Sequence, residues 1–175
     1  MATNLEFIKS GTLITPTPYL EIIDCFNSNY DVYKVVITKW TSSVTADDTR
    51  LRFIDNTNTK ISTLNYDTAD IRLKSYNSNT SEDRYVNNSW ITTFGLDMRN
   101  TADNIGTVLY VYNPTDTSSY TFCQWQSSFH DVGNGMSSIK GIGVLKLTTE
   151  ITGLAFTSNG VNNLTEAQVS VYGVK

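Results

Sequence analysis

Apolar residues along this chain come in short segments that alternate with polar ones every second position and stop at Asn, Asp, Gly, Ser or Thr. Period two marks strands with one buried face, and the stopping residues are those that favour turns. The pattern predicts strands over Leu5–Ile8, Leu20–Phe26, Tyr33–Thr41, Thr49–Ile54, Ile71–Tyr76, Trp90–Met98, Thr107–Tyr112, Tyr120–Gln126, Ile139–Leu147, Ile151–Phe156 and Ala167–Val174. In the third of these, Tyr33, Val35 and Ile37 share one face and Val36 and Trp40 fall on the other. In the fourth, Leu51 and Phe53 point inward and Arg50 and Arg52 outward. In the fifth, Ile71 and Leu73 lie opposite Arg72 and Lys74. The polar run from Asn77 to Asn88 reads as a long exposed loop. Glu150 and Leu164–Ala167 have room for one helical turn each at most.

The sum is an all-β chain of ten to twelve strands with no significant helix. No change of composition or linker interrupts residues 1–175, so the expectation is one domain, an antiparallel β-sandwich of jelly-roll type. An up-and-down barrel is the alternative. No fixed-period repeat appears, which argues against a propeller or β-solenoid.

Composition sharpens this picture. Of the 175 residues, 25 are Thr, 17 Ser and 17 Asn, while charged residues make up 17%, below the roughly 25% usual for a soluble domain. Val, Ile, Thr, Tyr, Phe and Trp together outnumber the helix formers 71 to 42, the reverse of a helical bundle. With 39% hydrophobic and 11% aromatic residues, the chain can build a core. A net charge of −4 and a pI near 4.9 disfavour nucleic-acid binding, which needs clustered Lys and Arg. No apolar run approaches the length of a membrane helix, and the first residues lack the basic and apolar regions of a secretory signal. Cys25 and Cys123 each sit in a strand-like segment and read as buried free thiols.

Candidate chemistry is sparse. The lone histidine, His130, lies beside Asp131 and near Cys123, yet no nucleophile elbow accompanies it. One His and two distant Cys do not supply a zinc set, and no cofactor is expected. Asp47 and Asp48 read as solvated turn residues rather than a catalytic pair. The Asp55-Asn-Thr-Asn58 run opens like a calcium loop but lacks its mid-loop Gly and closing Glu, so turn chemistry explains it better. Gly133-Asn-Gly135 reads as a turn and Gly141-Ile-Gly143 as a strand irregularity. Trp40 and Trp125 are expected in the core. Trp90, Tyr85, Tyr76 and Tyr66, near Asn and Asp, are the expected surface aromatics for stacking on sugars or docking a protein.

The C-terminal quarter is more specific. Ile151-Thr-Gly-Leu-Ala-Phe156, a Ser-Asn-Gly turn, and Val169-Ser-Val-Tyr-Gly-Val-Lys175 resemble the closing strand pair of small virion proteins of tailed bacteriophages, those of cyanophages above all. Tyr33-Lys-Val-Val-Ile-Thr38, Leu51-Arg-Phe53 and Val108-Leu-Tyr-Val-Tyr-Asn-Pro114 fit the same scheme. The resemblance implies a non-enzymatic jelly-roll subunit on the virion exterior. It would be a head decoration (cement) protein, a homotrimer bound to the major capsid protein, or else a fibre or spike module that recognises a host glycan.

Overall fold

The computed structural model describes residues 4–44, 47–76, 80–92, 105–133, 135–158 and 164–175. Twelve strands run through them: β1 (Leu5–Leu13), β2 (Tyr19–Ile22), β3 (Val32–Ser42), β4 (Arg50–Asp55), β5 (Tyr66–Lys74), β6 (Ser81–Asn88), β7 (Ile91–Thr92), β8 (Gly106–Tyr112), β9 (Thr121–Asp131), β10 (Gly135–Leu145), β11 (Ile151–Thr157) and β12 (Leu164–Val174). They form an eight-stranded sheet, ordered β1-β12-β3-β8-β9-β10-β5-β6, and a four-stranded sheet, ordered β2-β11-β4-β7. Every pairing is antiparallel.

This order is a jelly roll with two hairpin additions. Setting aside β5, β6, β9 and β10, the rest falls into β1-β12-β3-β8 and β2-β11-β4-β7, the nested pairing of an eight-stranded roll. The β5–β6 and β9–β10 hairpins then extend the large sheet on one side only. The core lies between the sheets, where Tyr33, Val35, Ile37, Val169 and Val171 meet Leu51, Phe53, Leu154 and Phe156. Two buried tyrosines close it without leaving a hydroxyl stranded. Tyr33 Oη donates to the Asn27 carbonyl (2.6 Å) and accepts from the Asn27 amide (2.8 Å). Tyr66 Oη donates to the Ile61 carbonyl (3.1 Å) and accepts from the Phe53 amide (3.0 Å).

Several expectations change. Trp40 shares the core with Tyr33, Val35 and Ile37 because Thr38 is an extra residue in β3, and such a bulge moves the following positions to the other face. Residues 81–88 form β6, although only three of its residues are half-buried, so a polar edge strand passed for a loop. Leu164–Ala167 opens β12 rather than a helical turn. Of the predicted Trp90–Met98 strand, Trp90–Thr92 lie within the described residues, and Ile91–Thr92 of these form β7. Asp47 is fully buried, not solvated. Asp55 does cap its own turn, with Oδ1 accepting from the amides of Thr57 (2.8 Å) and Thr59 (3.0 Å). Both cysteines are free and buried.

Gly141 and Gly143 are not irregularities, since β10 keeps unbroken register with both neighbours. Gly141 instead makes room for Trp125, its cross-strand partner: a Cβ there would lie 2.3 Å from Trp125 Cζ2. Gly141→Ala should therefore force the buried indole aside and lower stability by about 1–3 kcal/mol. Gly106→Ala, where a Cβ would meet nothing within 4 Å, should stay within about 0.5 kcal/mol of the parent in urea unfolding.

Candidate functional site

The four expected surface aromatics do not form one patch. Tyr66 is a correction: it is fully buried and bonded at the start of β5. An aromatic at a strand end beside Asn65 looked like a loop residue, but its ring stacks on Phe53 at 6.2 Å and fills the core. Tyr76 lies past the other end of β5, 81% exposed, with its ring over Gly135. Tyr85 sits on β6 opposite Thr68 and is partly exposed. Trp90 is half-buried, and the Arg50 guanidinium lies 4.1 Å from its ring centroid, occupying one face.

The nucleophile candidates are also held apart. His130 and Asp131 are successive residues of β9, so their side chains leave opposite faces. Asp131 points inward, where Arg72 Nη1 donates to its Oδ2 (3.3 Å) and the Gly133 amide to its Oδ1 (2.8 Å). Cys123 is seven residues from His130 along the same strand, about 23 Å at the usual rise, and burial pushes its thiol up to about 12.

Sequence reasoning missed two features. The first is a polar layer inside the hairpin extension. The inward positions of β5 run Tyr66, Thr68, Asp70, Arg72, with Ile71 and Leu73 turned to solvent, so this strand has its polar face inside. Asp70 is 8% exposed, neither of its carboxylate oxygens has a hydrogen bond, and it lies directly across from Asp83 of β6. Burial pushes its carboxyl up to about 6, the Asp83 charge adds to the rise, and Arg72 opposes it.

The second is the outer face of the large sheet. Register lines up Phe7, Tyr172, Lys34, Tyr110, Gln124, Ile142, Ala69 and Arg84 as one row across all eight strands. The next row runs Ser170, Val36, Val108, Gln126, Lys140, Ile71 and Glu82. On the other side Tyr112, Phe122 and Val144 make an apolar row. Between these rows lies an open groove of about 780 Å³, walled by Lys34, Tyr110, Gln124, Gln126, Lys140 and Glu82, which continues into an apolar hollow of about 440 Å³ at Phe122, Ile142 and Val86. Ligand sites usually fall in this size range, with a few placed polar groups among apolar ones. No single segment carries the groove. The signal was the outward phase of six strands, readable only once their register is known.

Comparison with protein-family models and with curated proteins gives no match. Among solved structures, the chain is similar to the catalytic domain of an endo-1,3-beta-glucanase (laminarinase) from Thermotoga petrophila RKU-1, at 8% identity and a TM-score of 0.27, over 95% of this chain and 77% of that one. A Crh5 transglycosylase in complex with NAG gives 7% identity and 0.27, over 95% and 78%. An infectious bursal disease virus structure (Gx strain) gives 10% and 0.16, over 97% and 39%. Likeness this slight carries no functional argument. The fold is an all-β, jelly-roll-like sandwich.

The raised Asp70 carboxyl has a pH consequence. Because its folded value lies above its ordinary one, its stabilising contribution is fully present below about pH 4 and is lost as the pH rises through about 6. Asp70→Asn should accordingly be more stable than the parent by about 1–3 kcal/mol near pH 8 and nearly equal to it near pH 4, read from urea midpoints at each pH.

Proposed function

We propose that this chain is a non-enzymatic structural protein of a tailed-phage virion, a decoration subunit that binds the head shell from outside and stabilises it as a trimer. The C-terminal strand pair supplies the family resemblance. The physical observation that carries the assembly part is the edge strand β1. It has nine residues, pairs only with β12 among the described strands, and exposes Leu5 and, at 58%, Phe7. The free amides and carbonyls of such an edge can recruit another chain, and the exposed Phe7 stands beside them. The separation of His130 from Asp131 and the burial of Cys123 support the non-enzymatic part.

The test is co-sedimentation with empty capsids, together with solution mass. The parent chain should bind and assemble, whereas Phe7→Lys should reduce both at least ten-fold with little change in thermal midpoint, since the side chain is exposed. A strictly monomeric chain without affinity for capsids would sink the decoration reading.

A second reading is favoured by the groove: recognition of a glycan by a fibre or spike module. Paired amides, a tyrosine and opposite charges along an open cleft suit a polyhydroxylated ligand. The groove runs from β3 and β8 of the roll onto the hairpin extension, two or more strands from the β1 edge, so the two readings use different surfaces.

A further inference from the structure

The groove differs from the rest of the molecule in its charge. Elsewhere the described cations are mostly neutralised, as in Lys39–Glu166 (2.6 Å), Lys60–Glu21 (2.6 Å), Lys146–Asp67 (2.8 Å) and Lys175–Glu6 (2.6 Å). In the groove, Glu82 is already held by Arg84 (3.2 Å), whereas Lys34 and Lys140 have no ion pair among the described residues. Asp70 reaches the groove only from beneath, with its carboxyl in the inner layer. A chain with net charge −4 therefore presents a groove with two surplus ammonium groups on its open side.

The spacing of those cations narrows the ligand. Lys34 is on β3 and Lys140 on β10, three strand spacings and one row apart, or about 16 Å. Tyr110, Gln124 and Gln126 lie between them. The amides both donate and accept, and the tyrosine offers a ring face as well as a hydroxyl, which suits sugar rings with alternating apolar faces and hydroxyls. A peptide is the poorer fit. Sheets capture extended peptides through free main-chain groups at an edge, and β8, β9, β10 and β5 are each paired on both sides.

We propose that the groove binds a carboxylate-bearing polysaccharide, with Lys34 and Lys140 each taking a carboxylate and Tyr110, Gln124 and Gln126 holding the sugars between them. This rests on the glycan reading given above and adds the acidic class and the residues that select it.

Affinity electrophoresis of the full chain in gels containing polygalacturonate, dextran or poly-glutamate tests it. Retardation by polygalacturonate should exceed that by dextran or poly-glutamate at least ten-fold and weaken with added salt. Lys34→Ala combined with Lys140→Ala should lose at least ten-fold, and Tyr110→Ala, which keeps every charge, should lose a comparable amount. Lys74→Ala, a cation outside the groove, should leave retardation unchanged, and thermal unfolding should show all variants folded. Equal retardation by dextran would overturn the acidic preference while leaving the glycan reading standing. No retardation by either polysaccharide would overturn both. Equal retardation by poly-glutamate, or full binding by Tyr110→Ala, would mean that the groove reads charge alone and would overturn the polysaccharide assignment.

Discussion

An eight-stranded sheet backed by a four-stranded one is the constraint on which the rest of this molecule depends. A sheet must bury one face, and the small sheet can serve only as many strands as lie opposite it. The nested roll of β1, β12, β3 and β8 over β2, β11, β4 and β7 meets that need with aliphatic and aromatic side chains from both layers. The β9–β10 and β5–β6 hairpins carry the sheet beyond it. Toward that outer end the inward residues turn polar: Ser137 on β10, Thr68, Asp70 and Arg72 on β5, Asp83 on β6. The Arg72–Asp131 pair ties β5 to β9 across β10, in place of the apolar contacts that hold the roll.

How much of this could be read along the chain depends on which physical signal each element uses. Strands of the roll alternate apolar and polar residues, and Tyr33, Val35, Leu51, Phe53, Val169 and Val171 are found where period two puts them. Alternation fails where geometry breaks the period or where the sheet is uncovered. Thr38 bulges and sends Trp40 inward. On β5 the alternation is correct, but the buried side is the charged one, and hydropathy alone assigns the faces backward. On β6 both faces are largely wet, so the strand has no apolar signature at all. The surface aromatics failed for a related reason: Tyr66 looks the same in sequence whether its hydroxyl meets water or the Phe53 amide.

The groove was illegible for a different reason. Its members come from β3, β8, β9, β10, β5 and β6, and no two successive residues of the chain belong to the same row. Lys34, Tyr110 and Gln124 become neighbours only through long-range register. Local motifs therefore reveal turns and not the extended cleft, and charge counting sees −4 rather than the two ammonium groups within it.

The same constraint separates stability from recognition. Outward side chains on the extension contribute little to the core, because the residues beneath them already carry a polar layer held by its own ion pair. Asp70 shows the direction of that trade: burying a carboxyl without a hydrogen bond opposes folding, and the roll must supply the difference. A fold whose core draws on the roll and on the inner face of the hairpins alike, through Tyr66, Trp125, Phe129 and Ile139, can carry such a defect at its outer end. It can also change the outer surface of those hairpins freely, since Ile142, Gln124 and Lys140 pack against solvent rather than against the small sheet. The outer face from β3 to β6 is thus where this jelly roll has room for a binding surface, with Lys34 at its roll end and Lys140 on the extension.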